Sequence, residues 1–158
     1  MKRIARFFIA NLYPPLKPFL YLFRPADGAV KVIIFYKNKL LLIKNTYRKG
    51  WTLPGGGVKK NESPKQTAIR EVYEEVGMHV SGLRNHGFFI LDFDRGGKVT
   101  VFSCKVKSSA FKIDNLEIEE AAWVDMGKLR KRPLDMLKYG RYVKQKVHSL
   151  SKQEILQG

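Results

Sequence analysis

The stretch from Gly55 to Met78, GGGVKKNESPKQTAIREVYEEVGM, limits what this chain can become more than any other. It joins a tight glycine turn to a helix with both ends written into its residues. Ser63 and Gln66 have the spacing of a capping box, and Pro64 takes the first helical position, where a missing N–H costs nothing. Ala68, Ile69, Val72, Tyr73 and Val76 recur at helical spacing and make an apolar face suited to packing on a sheet. Gly77 supplies the stop. An amphipathic helix is therefore expected between Ser63 and Gly77.

Beside the apolar face lie three acids. At about 100° per residue, Glu71, Glu74 and Glu75 share an arc of roughly 100°. Like charges at these spacings cost a few tenths of a kcal/mol per pair. Two of them also sit in the last turn, the unfavourable end of the helix dipole for negative charge. A solvated acidic face is one explanation. The other is a hard divalent cation, because Mg²⁺ takes a few carboxylates together with water and phosphate oxygens. Two facts weigh toward the cation. The chain has only 14 acids against 30 bases, and the turn Gly55-Gly56-Gly57 lets backbone approach whatever the ion carries.

These residues resemble a known family. Gly56, Glu62, Arg70, Glu71, Val72, Glu74, Glu75, Gly77 and Met78 satisfy every specified position of the Nudix box, G-x5-E-x7-R-E-U-x-E-E-x-G-U with U apolar. The resemblance implies a Nudix hydrolase that uses Mg²⁺ or Mn²⁺ to cleave the diphosphate of a nucleoside diphosphate linked to another group. It implies Glu71, Glu74 and Glu75 as metal ligands, with the Gly55 carbonyl added. Glu62 and Arg70 become the pair that supports the loop and orients the ligand helix. It also implies an α/β fold, the Nudix α/β/α sandwich with a mixed β-sheet.

Three segments are expected: an N-terminal extension over 1–25, a Nudix domain over 26–150 and a tail over 151–158. A length of 158 residues suits one domain with a real core. The extension carries Ile4, Phe7, Phe8 and Leu12 on one helical face, with Lys2, Arg3 and Arg6 elsewhere. Pro14, Pro15, Lys17 and Pro18 break it too soon to span a bilayer, which takes about 20 consecutive apolar residues. It reads either as a packing segment, against the domain or in a homodimer, or as a basic aromatic anchor on an anionic membrane surface. The expected location is cytoplasmic, and membrane-peripheral under the second reading. Cys104, the lone cysteine, excludes an intrachain disulfide and reads as a buried strand thiol.

Ala29–Tyr36 and Leu40–Ile43 are apolar runs that predict a hairpin. The basic stretch Lys44 to Lys49 leads into Trp51-Thr52-Leu53-Pro54. It is either a solvated turn or a positive rim near the substrate phosphates, and Arg48 and Lys49 are the binding candidates, with Gly55 and Gly56. After the box, strands are expected over Gly87–Asp94 and Lys98–Val106, joined by a turn at Asp94-Arg95-Gly96-Gly97. A last strand is expected at Ala121–Val124, and basic helix from Met126 onward. His79, His86 and His148 form no ligand set.

In the family a late glutamate often reaches the metal centre, and Glu117 and Glu120 are the candidates here. The chemistry expected is attack of water on phosphorus, with Glu74 or Glu120 taking the proton. A net charge of +16 points to an acidic partner and says nothing of fold. The partner favoured is a small anionic diphosphate such as a nucleotide sugar; inositol pyrophosphates and nucleic acid, as an RNA 5′ end, are the alternatives. A Nudix-fold binding module without catalysis is a further alternative, against which the intact box argues. Phe93 to Gly96 holds neither the proline nor the tyrosine expected of enzymes acting on ADP-ribose or diadenosine polyphosphates.

Overall fold

A computed structural model describes residues 28–47, 50–91, 97–113, 116–126, 145 and 149–150. The elements are β1 (Ala29–Tyr36), β2 (Lys39–Asn45), α1 (Pro64–Val76), β3 (Arg84–Leu91), β4 (Gly97–Lys105) and β5 (Ile118–Asp125). The strands form one mixed sheet in the order β3-β4-β1-β2-β5. β1 and β4 are parallel, with Ala29 opposite Val99 and Phe35 opposite Lys105. The remaining neighbours are antiparallel.

Strand alternation sorts the core onto the two faces of this sheet. Val30, Val32 and Ile34 of β1 face α1 and pack with Ala68, Val72 and Val76. Ile33 and Phe35 face the other way and join Leu53, Val101 and Val124. Leu150, helical and buried, belongs to that second cluster. Hydrophobic surface on both faces is why β1 reads as a near-continuous apolar run rather than an alternating one. The α/β class and the mixed sheet expected from the sequence are borne out.

The hairpin between β1 and β2 is brief. Its Cα register holds Phe35 opposite Leu40 and Tyr36 opposite Lys39. Beyond that the two strands part, and the segment around Trp51–Val58 fills the gap. Thr52 exchanges backbone hydrogen bonds with Ile43 of β2, at 2.8 and 2.9 Å. On the other side, Val30 donates to Gly56 O, Val32 donates to Pro54 O, and Val58 donates to Gly28 O, at 2.9 to 3.0 Å. The glycine turn is thus stitched into the sheet. Gly55 has φ +130°, and a Cβ there would stand 2.3 Å from the Val30 carbonyl oxygen. Only glycine meets both conditions.

Helix α1 forms as its sequence requires. Ser63 accepts from the Gln66 amide, the Gln66 side chain accepts from Ser63 N, and Gly77 closes the helix in the left-handed region at φ 65°. Cys104 is buried in β4, which pushes its thiol up to about 11. β3 starts at Arg84, earlier than expected, because a register shift between Asn85 and Phe88 lets it continue pairing with β4. β5 likewise starts at Ile118, so Glu120 lies inside the strand rather than ahead of it. The extension 1–25, the turn over 92–96 and most of the basic C-terminal region lie outside the described residues. Among the described residues no helix is long and apolar enough to cross a membrane.

Gly55→Ala should cost at least about 2 kcal/mol, since it adds both a backbone penalty and a backbone clash. Urea denaturation, read as a lower midpoint with unchanged slope, checks this.

Candidate active site

The Arg70 guanidinium is the hub of the site. Its Nε and Nη2 donate to the two oxygens of Glu62, at 2.8 and 2.9 Å. Its Nη1 donates to Glu71 Oε1 at 2.6 Å and to Glu74 Oε2 at 2.8 Å. Nη2 also donates to the Gly57 carbonyl at 3.1 Å. One planar cation therefore ties the loop, the helix entrance and two of the three helix acids together. A bidentate fork of this kind is beyond the reach of lysine.

Glu62 is anchored from several sides. Besides Arg70 it accepts from Thr67 Oγ1 at 2.7 Å and from the Lys59 amide at 3.2 Å. The Arg70 bonds, foremost, and those of Thr67 and Lys59 outweigh desolvation and hold its carboxyl at about 2. Its bonds to Glu62 first, and to Glu71 and Glu74, raise the already high Arg70 pKa. Thr67 is fully buried on α1, and sequence reasoning did not pick it out. Its position one turn into the helix, five residues after Glu62, was the available signal.

Glu75 is a different kind of acid. It is only 6% exposed, and its Oε2 accepts the Gly55 amide at 2.8 Å. Burial pushes its carboxyl up to about 8, against the opposing charge of Lys31 and the Gly55 hydrogen bond. Glu71 and Glu117 add to the upward shift by like-charge repulsion. Of the two late glutamates, Glu117 is thus one whose charge acts on Glu75. Glu120 stands opposite Lys44 and, by alternation with Val124, lies on the face away from α1. It is exposed, and Lys44 is engaged instead by Glu119 at 3.1 Å.

The donor set suits a hard divalent ion in its chemistry: three carboxylates along one edge of α1 beside a glycine turn. Gly56 fits it sterically, since a Cβ there would sit 2.6 Å from the Glu71 carboxylate. The buried Glu75 fits it electrostatically, since burial raises its carboxyl and a bound cation would favour the ionised form. As placed, the side chains are turned to protein cations. Glu71 and Glu74 face Arg70, and the Gly55 carbonyl accepts the Lys31 ammonium at 2.8 Å. Accordingly, no three acidic, histidine or cysteine groups among the described residues are gathered around one point. Lys59 also approaches Glu74, at 3.7 Å and in an exposed position. Arg48 and Lys49 lie outside the described residues.

The fold has close counterparts. The NUDIX domain of Shewanella oneidensis NrtR, solved with ADP ribose, superposes with a TM-score of 0.64 at 18% identity, over 81% of this chain and 86% of that one. At that identity the likeness speaks for the fold alone. Residues 25–145 match the model of the NUDIX domain, and the chain belongs to the Nudix family. It is 40% identical over 62 residues to the RNA pyrophosphohydrolase of Hydrogenovibrio crunogenus, spanning 39% of this chain and 36% of that protein. It is also 40% identical over 63 residues to the diphosphoinositol polyphosphate phosphohydrolase 3-alpha of Mus musculus, spanning 40% of this chain and 38% of that one. The matched region is thus well under half of each relative's length.

Glu62 makes a sharp pH prediction. Its folded pKa of about 2 lies below the ordinary 4.5, so the stability it confers is complete above 4.5 and is lost as pH falls toward 2. Glu62→Gln should therefore lower stability at pH 7 by about 1–2 kcal/mol, the pair being partly screened by solvent. The gap to wild type should narrow steadily below pH 4.5 in urea melts run across that range.

Proposed function

We propose that this protein is a divalent-metal-dependent pyrophosphohydrolase that cleaves the diphosphate of a nucleoside diphosphate linked to another group. The observation that carries the reading is the acid edge of α1, bonded through Glu75 to a glycine turn that is itself hydrogen-bonded into the sheet. Glu71, Glu74 and Glu75 would hold Mg²⁺ or Mn²⁺, with the Gly55 carbonyl as a further oxygen. The ion, when bound, supplies charge neutralisation at the diphosphate and lowers the pKa of a water.

The chain's own residues do the rest. Arg70, fixed by Glu62, keeps the α1 acids and the Gly57 carbonyl in register. Gly55 and Gly56 let the turn lie close on β1 and on the Glu71 carboxylate, where a side chain would clash, and offer bare backbone to the diphosphate. Glu74 is half-exposed and held only by flexible or shared cations, so it is free to turn toward solvent and accept a proton from the attacking water. Glu75 is too buried for that part and serves as a ligand. Glu117 fits the role of the late acid better than Glu120.

A second reading concerns the substrate's size. The chain carries +16 and resembles, over short regions, proteins named for RNA and for diphosphoinositol polyphosphates. Both features favour a very anionic diphosphate, either an RNA 5′ end or an inositol pyrophosphate. Salt separates these sizes: KM for RNA should rise steeply with ionic strength through counterion release, and for a small nucleotide only gently.

The test is a substrate screen with Mg²⁺: NDP-sugars, dinucleotides, nucleoside triphosphates, inositol pyrophosphates and 5′-triphosphorylated or capped RNA, read by phosphatase-coupled phosphate release. Glu74→Gln and Glu75→Gln should each lose at least about a hundredfold in kcat on the best substrate. Near-wild-type turnover of both variants in excess Mg²⁺ would remove the assignment.

A further inference from the structure

Lys31 interrupts the apolar run of β1, AVKVIIFY. Its Nζ donates to two carbonyls of the glycine turn, Leu53 O and Gly55 O, each at 2.8 Å. The amide of the same Gly55 donates to the buried Glu75 carboxylate at 2.8 Å. A single glycine thus carries an ammonium on its oxygen and a carboxylate on its nitrogen. Of the charges that act on Glu75, that of Lys31 is the largest.

We propose that Lys31 is the built-in counter-ion of the metal-free site, occupying the Gly55 carbonyl until a divalent cation displaces it. The inference rests on the metal reading of the proposed function, and adds to it a residue outside the Nudix box. The Gly55 oxygen cannot serve an ammonium and a doubly charged ion together, because two cations on one atom stand close enough to repel strongly. Lysine suits the role where arginine would not yield as readily. Its compact charge ends a flexible stem, so it can leave Gly55 and keep Leu53 O without moving the backbone. In the metal-free protein it fixes the turn in the shape that the ion later needs, and it lessens the cost of the buried Glu75. Lys31 is a positioning residue: its contacts are the Leu53 and Gly55 carbonyls, through which it acts.

Displacement has a consequence that ordinary structural support does not. A residue that only braces the turn would weaken metal binding when removed. A counter-ion that must be displaced competes, so its removal destabilises the metal-free protein and tightens the metal.

The experiment uses the full chain as wild type, Lys31→Met, Lys31→Gln and Lys31→Arg. Thermal unfolding is followed in chelator and with Mn²⁺, and the Mn²⁺ Kd is read from the signal of the free ion in paramagnetic resonance. Lys31→Met should melt below wild type in chelator, gain more from Mn²⁺ than wild type gains, and bind Mn²⁺ at least about threefold tighter. Lys31→Arg, which keeps a charge that yields less readily, should bind Mn²⁺ no tighter than wild type. If Lys31→Met does not fold, Lys31→Gln carries the test, since it keeps an N–H donor without the charge, and the same tightening is expected. Unchanged or weaker Mn²⁺ binding by the neutral variants, with wild type binding normally, overturns the proposal and leaves the proposed function standing. Failure of wild type itself to bind Mn²⁺ overturns both.

Discussion

Everything in the site depends on how a short helix edge carrying three carboxylates is kept from repelling itself. Arg70 answers most of that demand. Its guanidinium is saturated on one side by Glu62, and so is immobile, and it offers the other side to Glu71 and Glu74. Were the arginine free to swing, the bonds to the two α1 acids would be surface ion pairs of little consequence. Because Glu62 is itself held by Thr67 and the Lys59 amide, the chain of fixation reaches from the loop through the helix entrance to the acids. The Nudix box can be understood as the sequence form of that arrangement.

The two cations beside the acids divide the work by kind. Arg70 engages acids that are partly open to solvent, and Lys31 acts across a peptide on the one that is not. A buried carboxylate of raised pKa is costly to keep in a fold that gains nothing else from it. That burial separates α1 from an ordinary solvated acidic face.

Much of this was legible in the sequence, for physical reasons that differ by element. Helix α1 was plain because its cap, its proline, its apolar period and its glycine stop all agree. β1 and β2 were plain because both faces are buried, which leaves long apolar runs. The start of β3 was missed because Arg84, Asn85 and His86 carry no apolar alternation and pair through a register shift that no local pattern announces. Glu117 and Glu120 could not be separated in the sequence, because which face a strand residue occupies depends on register, and register is a tertiary fact. Lys31 was hidden for the opposite reason. A lone lysine in an apolar strand was visible, yet its partners, Leu53 and Gly55, are carbonyls, and backbone oxygens leave no mark in a sequence.

The parting of β1 from β2 has one more effect. Because the segment that fills the gap is hydrogen-bonded to a strand on each side, the turn cannot swing out as a surface loop does. Opening it would unzip the middle of the sheet. Its hydrogen-bonded amide protons should therefore exchange with solvent about as slowly as those of the central strands.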